Sequence, residues 1–172
     1  MNIFISADNA LLALISETLK NGFFDFLMPL VSDSKSWIVP ILAACAAMVY
    51  FGKKKGLAAF LVCLLTVVVT DAVCGNVLKP LFERARPSGG LSPSFPSNHA
   101  ANMFAAALSL SYFWTNRFAR SAFYFIAVLV GYSRVYTLSH YPSDVLGGAL
   151  IGSVFALGSV LLYGKLFKEG KK

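Results

Sequence analysis

The chain has 172 residues and a formal net charge of +7; 57% of it is hydrophobic and 13% is charged. A soluble domain carries about 25% charged residues, so too little polar surface is left here to cover a water-soluble globule. The same composition excludes disorder, a collagen-like repeat and a disulfide scaffold, and the length suits one domain spanning 1–172.

Residues 1–35 open the chain ambiguously. The stretch 9–31 is apolar on average but contains Glu17, Lys20 and Asp25, and three charges inside a bilayer are costly. Asn21-Gly22 reads as a break. The pattern predicts two short amphipathic helices lying in the membrane interface, with a sixth span as the alternative. Five runs then approach the length a spanning helix needs, about 17–25 residues. They are 37–52, 56–78 (with one acid, Asp71), the Ala-rich 99–114, 121–138 (with Arg134 near its end) and the Gly-rich 144–164. The predicted fold is an all-α polytopic transmembrane bundle of about five spans. Its linkers are 53–55, 79–98, 115–120 and 139–143, and a basic tail follows at 165–172.

The basic residues sit in short loops, which reads as membrane topology rather than nucleic-acid binding. Nine of the fifteen (Lys53, Lys54, Lys55, Arg117, Arg120, Lys165, Lys168, Lys171, Lys172) fall on one side of a five-span chain. The positive-inside rule makes that side, and the C-terminus, cytoplasmic. Loops 79–98 and 139–143 then share the outer face. Cys45, Cys63 and Cys74 all lie in apolar runs, which reads as packing rather than a disulfide or zinc framework. No cleavable signal peptide is evident.

Both histidines fall on the outer face. Lys79, Arg86 and Arg134 converge there as well, and three cations repel one another unless an anion joins them. Guanidinium forks match phosphate oxygens, Ser97 offers a hydroxyl, and the N–H groups around Asn98 lie at a predicted helix start, which favours anions. Two imidazoles supply what phosphate ester cleavage needs, a nucleophile and an acid for the leaving oxygen. His140 and Asp144 are spaced to share one helical face, so the carboxylate orients the ring. His140 is the candidate nucleophile and His99 the candidate acid.

Three segments carry this constellation: Lys79 through Arg86-Pro87, Pro96-Ser97-Asn98-His99, and Ser133-Arg134 through His140 to Asp144. Together they resemble the three signature motifs of the type 2 phosphatidic-acid phosphatase superfamily, which also includes vanadium haloperoxidases and glucose-6-phosphatase. The resemblance covers 79–144. It implies phosphate binding by Lys79, Arg86, Ser97, Arg134 and the backbone near Asn98. It also implies a phosphohistidine at His140 supported by Asp144, protonation of the leaving group by His99, and no metal or cofactor. The family usually has Gly where this chain has Asn98. Small bacterial members suggest a site on the periplasmic face of the inner membrane. Their substrates would be lipids such as phosphatidylglycerol phosphate, phosphatidic acid, undecaprenyl diphosphate or lipid A 1-phosphate. The motifs leave the choice of lipid and the oligomeric state open.

Other readings stand beside this one. Ser97, His140 and Asp144 can be drawn as an intramembrane serine triad, though the Gly-x-Ser-x-Gly elbow is missing. His99, His140 and Asp144 can be drawn as metal ligands, against the repulsion of three cations. A non-catalytic lipid-binding or transport protein is a further alternative. Arg84 and Glu83 read as a solvated loop pair. Asp71 divides evenly between helix packing and support of the site. Tyr132, Tyr136 and Tyr141 read as an interfacial aromatic belt, and Gly148 and Gly152 as a small-residue packing face, more simply within the bundle than between chains.

Overall fold

A computed structural model describes residues 3–168, and every regular element among them is helical. Helix α1 (Ile3–Ala13) ends in a π turn. Helix α2 (Gly22–Ser32) starts where Asn21 accepts a hydrogen bond from the Phe24 N–H at 3.0 Å. The break predicted at Asn21-Gly22 is therefore a helix cap. Helix α3 (Ile38–Val73) runs on through a π turn into the short α4 (Lys79–Phe82). After the irregular stretch 83–97 come α5 (Asn98–Phe113), α6 (Arg117–Tyr136) and α7 (Pro142–Lys168).

The predicted linker at 53–55 contracts to one residue. Lys53 alone leaves helical geometry (φ 48°, ψ −131°), and the chain doubles back there. The two halves of α3 line one apolar cavity of about 430 Å³, with Cys45 and Met48 on one side and Cys63 and Leu64 on the other. Gly56 permits the reversal, because a Cβ there would lie 1.9 Å from the Met48 carbonyl oxygen. Two helical stretches, Ser34–Phe82 and Pro142–Phe167, are long and apolar enough to cross a bilayer.

Large apolar side chains face outward, among them Phe26, Phe51, Leu65, Leu146 and Leu161. The interior is lined by small ones, such as Ala100, Ala101, Ala105, Ser109 and Ser133. Water would drive the opposite arrangement; close backbone approach through small residues is how helices pack when the surroundings are themselves apolar. The central contact is α5 against α7. A Cβ on Gly148 would come within 2.5 Å of the Ser97 carbonyl oxygen, and one on Gly152 within 2.0 Å of the Ala101 oxygen. This small-residue face is spent inside the bundle.

The two ends of the bundle differ. Lys55 stacks over Trp114 near the Lys53 reversal, and Arg120 donates to the Ser111 carbonyl. Loops 83–97 and 137–141 meet at the opposite end, where the Ser88 N–H donates to the Leu138 carbonyl at 3.1 Å. The segregation of basic loops from motif loops therefore agrees with the sequence reading; Lys171 and Lys172 lie outside the described residues. Gly152→Ala should destabilise the fold by about 1–3 kcal/mol through overpacking. Gly158→Ala, with nothing within 4 Å of the new Cβ, should be neutral or stabilising by up to about 1 kcal/mol. Thermal unfolding in detergent measures both, and equal effects would contradict the tight α5–α7 contact.

Candidate active site

The motif loops converge on Asp144, in the first turn of α7, and on His140 just before it. Leu138 adopts a left-handed conformation (φ 56°). This tight turn points the Ser139 and His140 N–H groups at one acceptor, the Arg134 carbonyl, at 3.0 and 3.1 Å. Arg134 and His140, six residues apart, are thereby fixed to each other. The Ser97 N–H donates to the Asp144 carbonyl at 3.1 Å, which ties the start of α5 to the start of α7.

Asp144 is fully buried. Its Oδ2 accepts from the Tyr141 N–H at 2.8 Å and from the Ser94 hydroxyl, and lies 3.7 Å from His140 Nδ1. Its Oδ1 accepts from Arg84 Nη1 at 2.6 Å. The other ring nitrogen, His140 Nε2, faces Arg86 Nη1 at 3.4 Å. One edge of the imidazole thus meets a carboxylate and the other meets a cation cluster.

Arg86 is held by the Ser92 carbonyl at 2.8 Å, the Ser92 hydroxyl at 2.9 Å and the Ser139 carbonyl at 3.1 Å. Arg134 donates from Nη1 to the carbonyl and hydroxyl of Ser32 in α2, and its Nε is buried without an acceptor. Lys79 lies within electrostatic reach of both arginines. Among the described residues no carboxylate stands within 4 Å of Lys79, Arg86 or Arg134. Three cations share a site with no carboxylate paired to any of them and with one orphaned guanidinium N–H, which is the electrostatic profile of an anion site. His99 Nε2 makes a 2.8 Å hydrogen bond with the Ser34 hydroxyl and lies within reach of Arg134, His140 and Lys79.

Several expectations change. The Ser97 hydroxyl accepts weakly from the Ala100 N–H at 3.5 Å as the cap of α5 and is fully buried. The Ser94 hydroxyl, and not that of Ser97, touches the side chains of His140 and Asp144, so the triad drawn with Ser97 is not assembled. The Asn98 side chain turns toward α3, where its amide and that of Asn102 donate to Asp71 Oδ1 at 2.9 and 2.8 Å. Asp71 therefore anchors the start of α5. Arg84 is no partner of Glu83. It bridges Asp8 and Asp144, donates to the Ser143 hydroxyl at 2.6 Å and stacks 4.1 Å over Tyr141. Tyr136 is buried and donates to Asp25 at 2.9 Å, so neither Tyr136 nor Tyr141 serves as a simple belt residue. Ser94, Asp8, Ser32 and Ser34 carry no sequence signal, because their polar partners lie far away in the chain and none of the four belongs to a motif.

An apolar-faced helical bundle with phosphate-matched cations around two imidazoles defines a hydrolase of phosphoric esters. The model of the PAP2 superfamily matches residues 60–168. A lipid A 4'-phosphatase of Bacteroides thetaiotaomicron is 29% identical over 167 residues, covering 87% of this chain and 74% of the relative. Phosphatidylglycerophosphatase B of Bacillus subtilis is 33% identical over 146 residues, covering 76% and 66%. The crystal structure of a transmembrane PAP2-type phosphatidylglycerolphosphate phosphatase from Bacillus subtilis superimposes with a TM-score of 0.72 at 28% identity, over 100% of this chain and 89% of that one. Aquifex aeolicus LpxE gives a TM-score of 0.68 at 25% identity, over 88% and 93%. The chain belongs to the PAP2 superfamily, and the motif resemblance at 79–144 is that of the whole bundle.

Burial holds the His140 imidazole below the usual histidine range. Asp144 pushes the other way, and Arg86 and Arg134 reinforce the lowering. Lowering means that the ring stays neutral until the pH falls below about 6.5. The resting protein should therefore show His140 titrating below pH 6.5. Nitrogen-15 NMR reads this directly, since the chain has 2 histidines and His99→Asn assigns the pair. A midpoint above 6.5 would contradict the burial.

Proposed function

We propose that the chain is a metal-independent lipid phosphatase working through a phosphohistidine at His140. The observation that carries it is the two-sided setting of that ring, with Nδ1 toward buried Asp144 and Nε2 toward Arg86. An orienting carboxylate on one nitrogen leaves the other as the free nucleophile. Nε2 attacks phosphorus while Lys79, Arg86 and Arg134 bind the phosphoryl oxygens, helped by the backbone near Asn98; stabilising the charge on these oxygens is the main catalytic effect in phosphoryl transfer. The bond from phosphorus to the leaving oxygen breaks, and His99 protonates that oxygen. Water, deprotonated by His99, then attacks phosphorus, the P–N bond breaks, and inorganic phosphate leaves with both imidazoles restored. His99 is placed for the acid role by its hydrogen bond to Ser34 and its nearness to His140; the bound phosphate offsets the neighbouring cations, which on their own disfavour the protonated ring. Three clustered cations also disfavour a divalent metal at this position.

The substrate is a lipid that carries its phosphate or diphosphate at headgroup depth. Named activities among the relatives support this class: lipid A 4'- and 1-phosphatases, phosphatidylglycerophosphatase and undecaprenyl-diphosphatase. The whole chain acts as one catalytic domain in a bacterial inner membrane. Five spans are formed by the two halves of α3 and by α5, α6 and α7, and α1 and α2 lie at the outer interface. The site then opens to the periplasm, with the C-terminus in the cytoplasm.

Detergent-purified protein should release inorganic phosphate in chelator from at least one of lipid A, phosphatidylglycerol phosphate, phosphatidic acid and undecaprenyl diphosphate. His140→Ala should abolish release. Arg134→Ala should lower kcat and raise KM together, by about 10²–10³ in kcat/KM. Activity surviving His140→Ala, or complete loss in chelator, would defeat the mechanism.

A further inference from the structure

Arg84 lies outside the phosphate-binding cations, and its environment is unlike theirs. Each of those cations lacks a carboxylate partner within 4 Å, whereas Arg84 has two. Nη1 reaches Asp144 Oδ1 at 2.6 Å and the Ser143 hydroxyl at 2.6 Å, and Nη2 reaches Asp8 Oδ2. Asp8 lies in α1, only 6% exposed. It also accepts from the Ser143 N–H at 2.9 Å and the Ser143 hydroxyl at 2.6 Å. The guanidinium carbon lies over the Tyr141 ring, 4.1 Å from its centre. One side chain thus joins α1, the loop after α4 and both residues that flank Pro142 at the start of α7.

Two oxygens of one carboxylate serve different tasks here. Oδ2 serves the His140 side, with Ser94 and the Tyr141 N–H. Oδ1 is occupied by Arg84. A carboxylate held by a guanidinium binds a proton less readily. Asp144 then orients His140 without taking its ring proton. An unpaired buried carboxylate beside the ring would draw positive charge onto the imidazole and remove the lone pair needed for attack. The charges around His140 are Asp144 from α7, Arg86 from the 83–97 loop, Arg134 from α6, His99 from α5 and Lys79 from α4 in the same cation cluster; Arg84, and through it Asp8 from α1, reach it by way of Asp144.

We propose that the Asp8–Arg84 pair is a positioning device that ties helix α1 to Asp144 and keeps His140 in its nucleophilic form. This rests on the reading of His140 as the nucleophile. Arg84 touches no phosphate and acts through Asp144. Its loss changes the rate of the covalent step and leaves substrate binding alone. Residues 1–35 are then more than a membrane anchor, since a helix far from the motifs in sequence completes the catalytic setting.

Arg84→Gln, Arg84→Lys and Asp8→Asn test this in detergent-purified full-length protein. Second-partner losses of this kind cost about 10–100-fold in activity. Arg84→Gln should lower kcat by that factor with KM changed less than about threefold, and should raise the His140 midpoint in nitrogen-15 NMR by about one pH unit. Arg84→Lys keeps the charge, so it should hold the midpoint near the unaltered value while kcat stays reduced, because one ammonium cannot span both carboxylates. Asp8→Asn keeps Arg84 and should lower kcat without raising the midpoint, which covers the case in which Arg84→Gln does not fold. An unchanged kcat, a KM rise at constant kcat, or a kcat fall in Arg84→Gln with no midpoint change would each overturn the proposal. Alkaline quench of unaltered protein turning over a 32P-labelled lipid phosphate separates the two readings. Absence of acid-labile label on His140 defeats the nucleophile itself, whereas the midpoint shifts report the coupling whether or not label appears.

Discussion

The site depends on one buried carboxylate. Asp144 has no exposed surface and lies at the start of α7, where the Tyr141 N–H, the Ser94 hydroxyl, Arg84 and His140 all gather around it. A lone buried carboxylate would be strongly disfavoured. Asp144 is tolerated because four groups from two loops compensate it. Those same contacts fix the ring of His140, the path of the 83–97 loop and the seat of α1. The first turn of α7 is in turn held against α5 by Gly148 and by the Ser97 N–H bond. The geometry of His140 is therefore inherited from the α5–α7 contact.

A second constraint is electrostatic. Lys79, Arg86 and Arg134 converge with no carboxylate within 4 Å of any of them, and the Arg134 Nε has no acceptor at all. Backbone carbonyls and serine hydroxyls hold Arg86 and Arg134 in position without neutralising them. A site built in this way keeps its charge for a ligand, and preorganised charge is worth most where water is largely excluded. Arg84 provides the contrast inside the same loop. Two residues from Arg86, it is fully paired and serves the scaffold.

Much of this was legible in the sequence, for identifiable reasons. Long apolar runs mark the helices, and the motifs carrying Lys79, Arg86, His99, Arg134, His140 and Asp144 are those that resemble the family to which the chain belongs. The Gly148 and Gly152 face announced tight packing, and the structure supplies its partner, Ala101. What escaped are the contacts that depend on three-dimensional return of the chain. Arg84 looked solvated because its nearest acid in sequence is Glu83, while its partners lie 76 and 60 residues away. Ser97 reads as a phosphate ligand by its motif place; its hydroxyl also caps α5, and Ser94, which no motif marks, stands beside His140. The reversal is legible at 53–55, but its contraction to Lys53 alone is not, because lysine rarely adopts positive φ.

A structure of the protein with vanadate, a pentacoordinate mimic of the phosphoryl transition state, tests the central claim most directly. The account predicts vanadium bonded to His140 Nε2, with its equatorial oxygens on Lys79, Arg86 and Arg134 and its far axial oxygen toward His99. Vanadate bonded to His99, to a serine, or bound away from both histidines would contradict it.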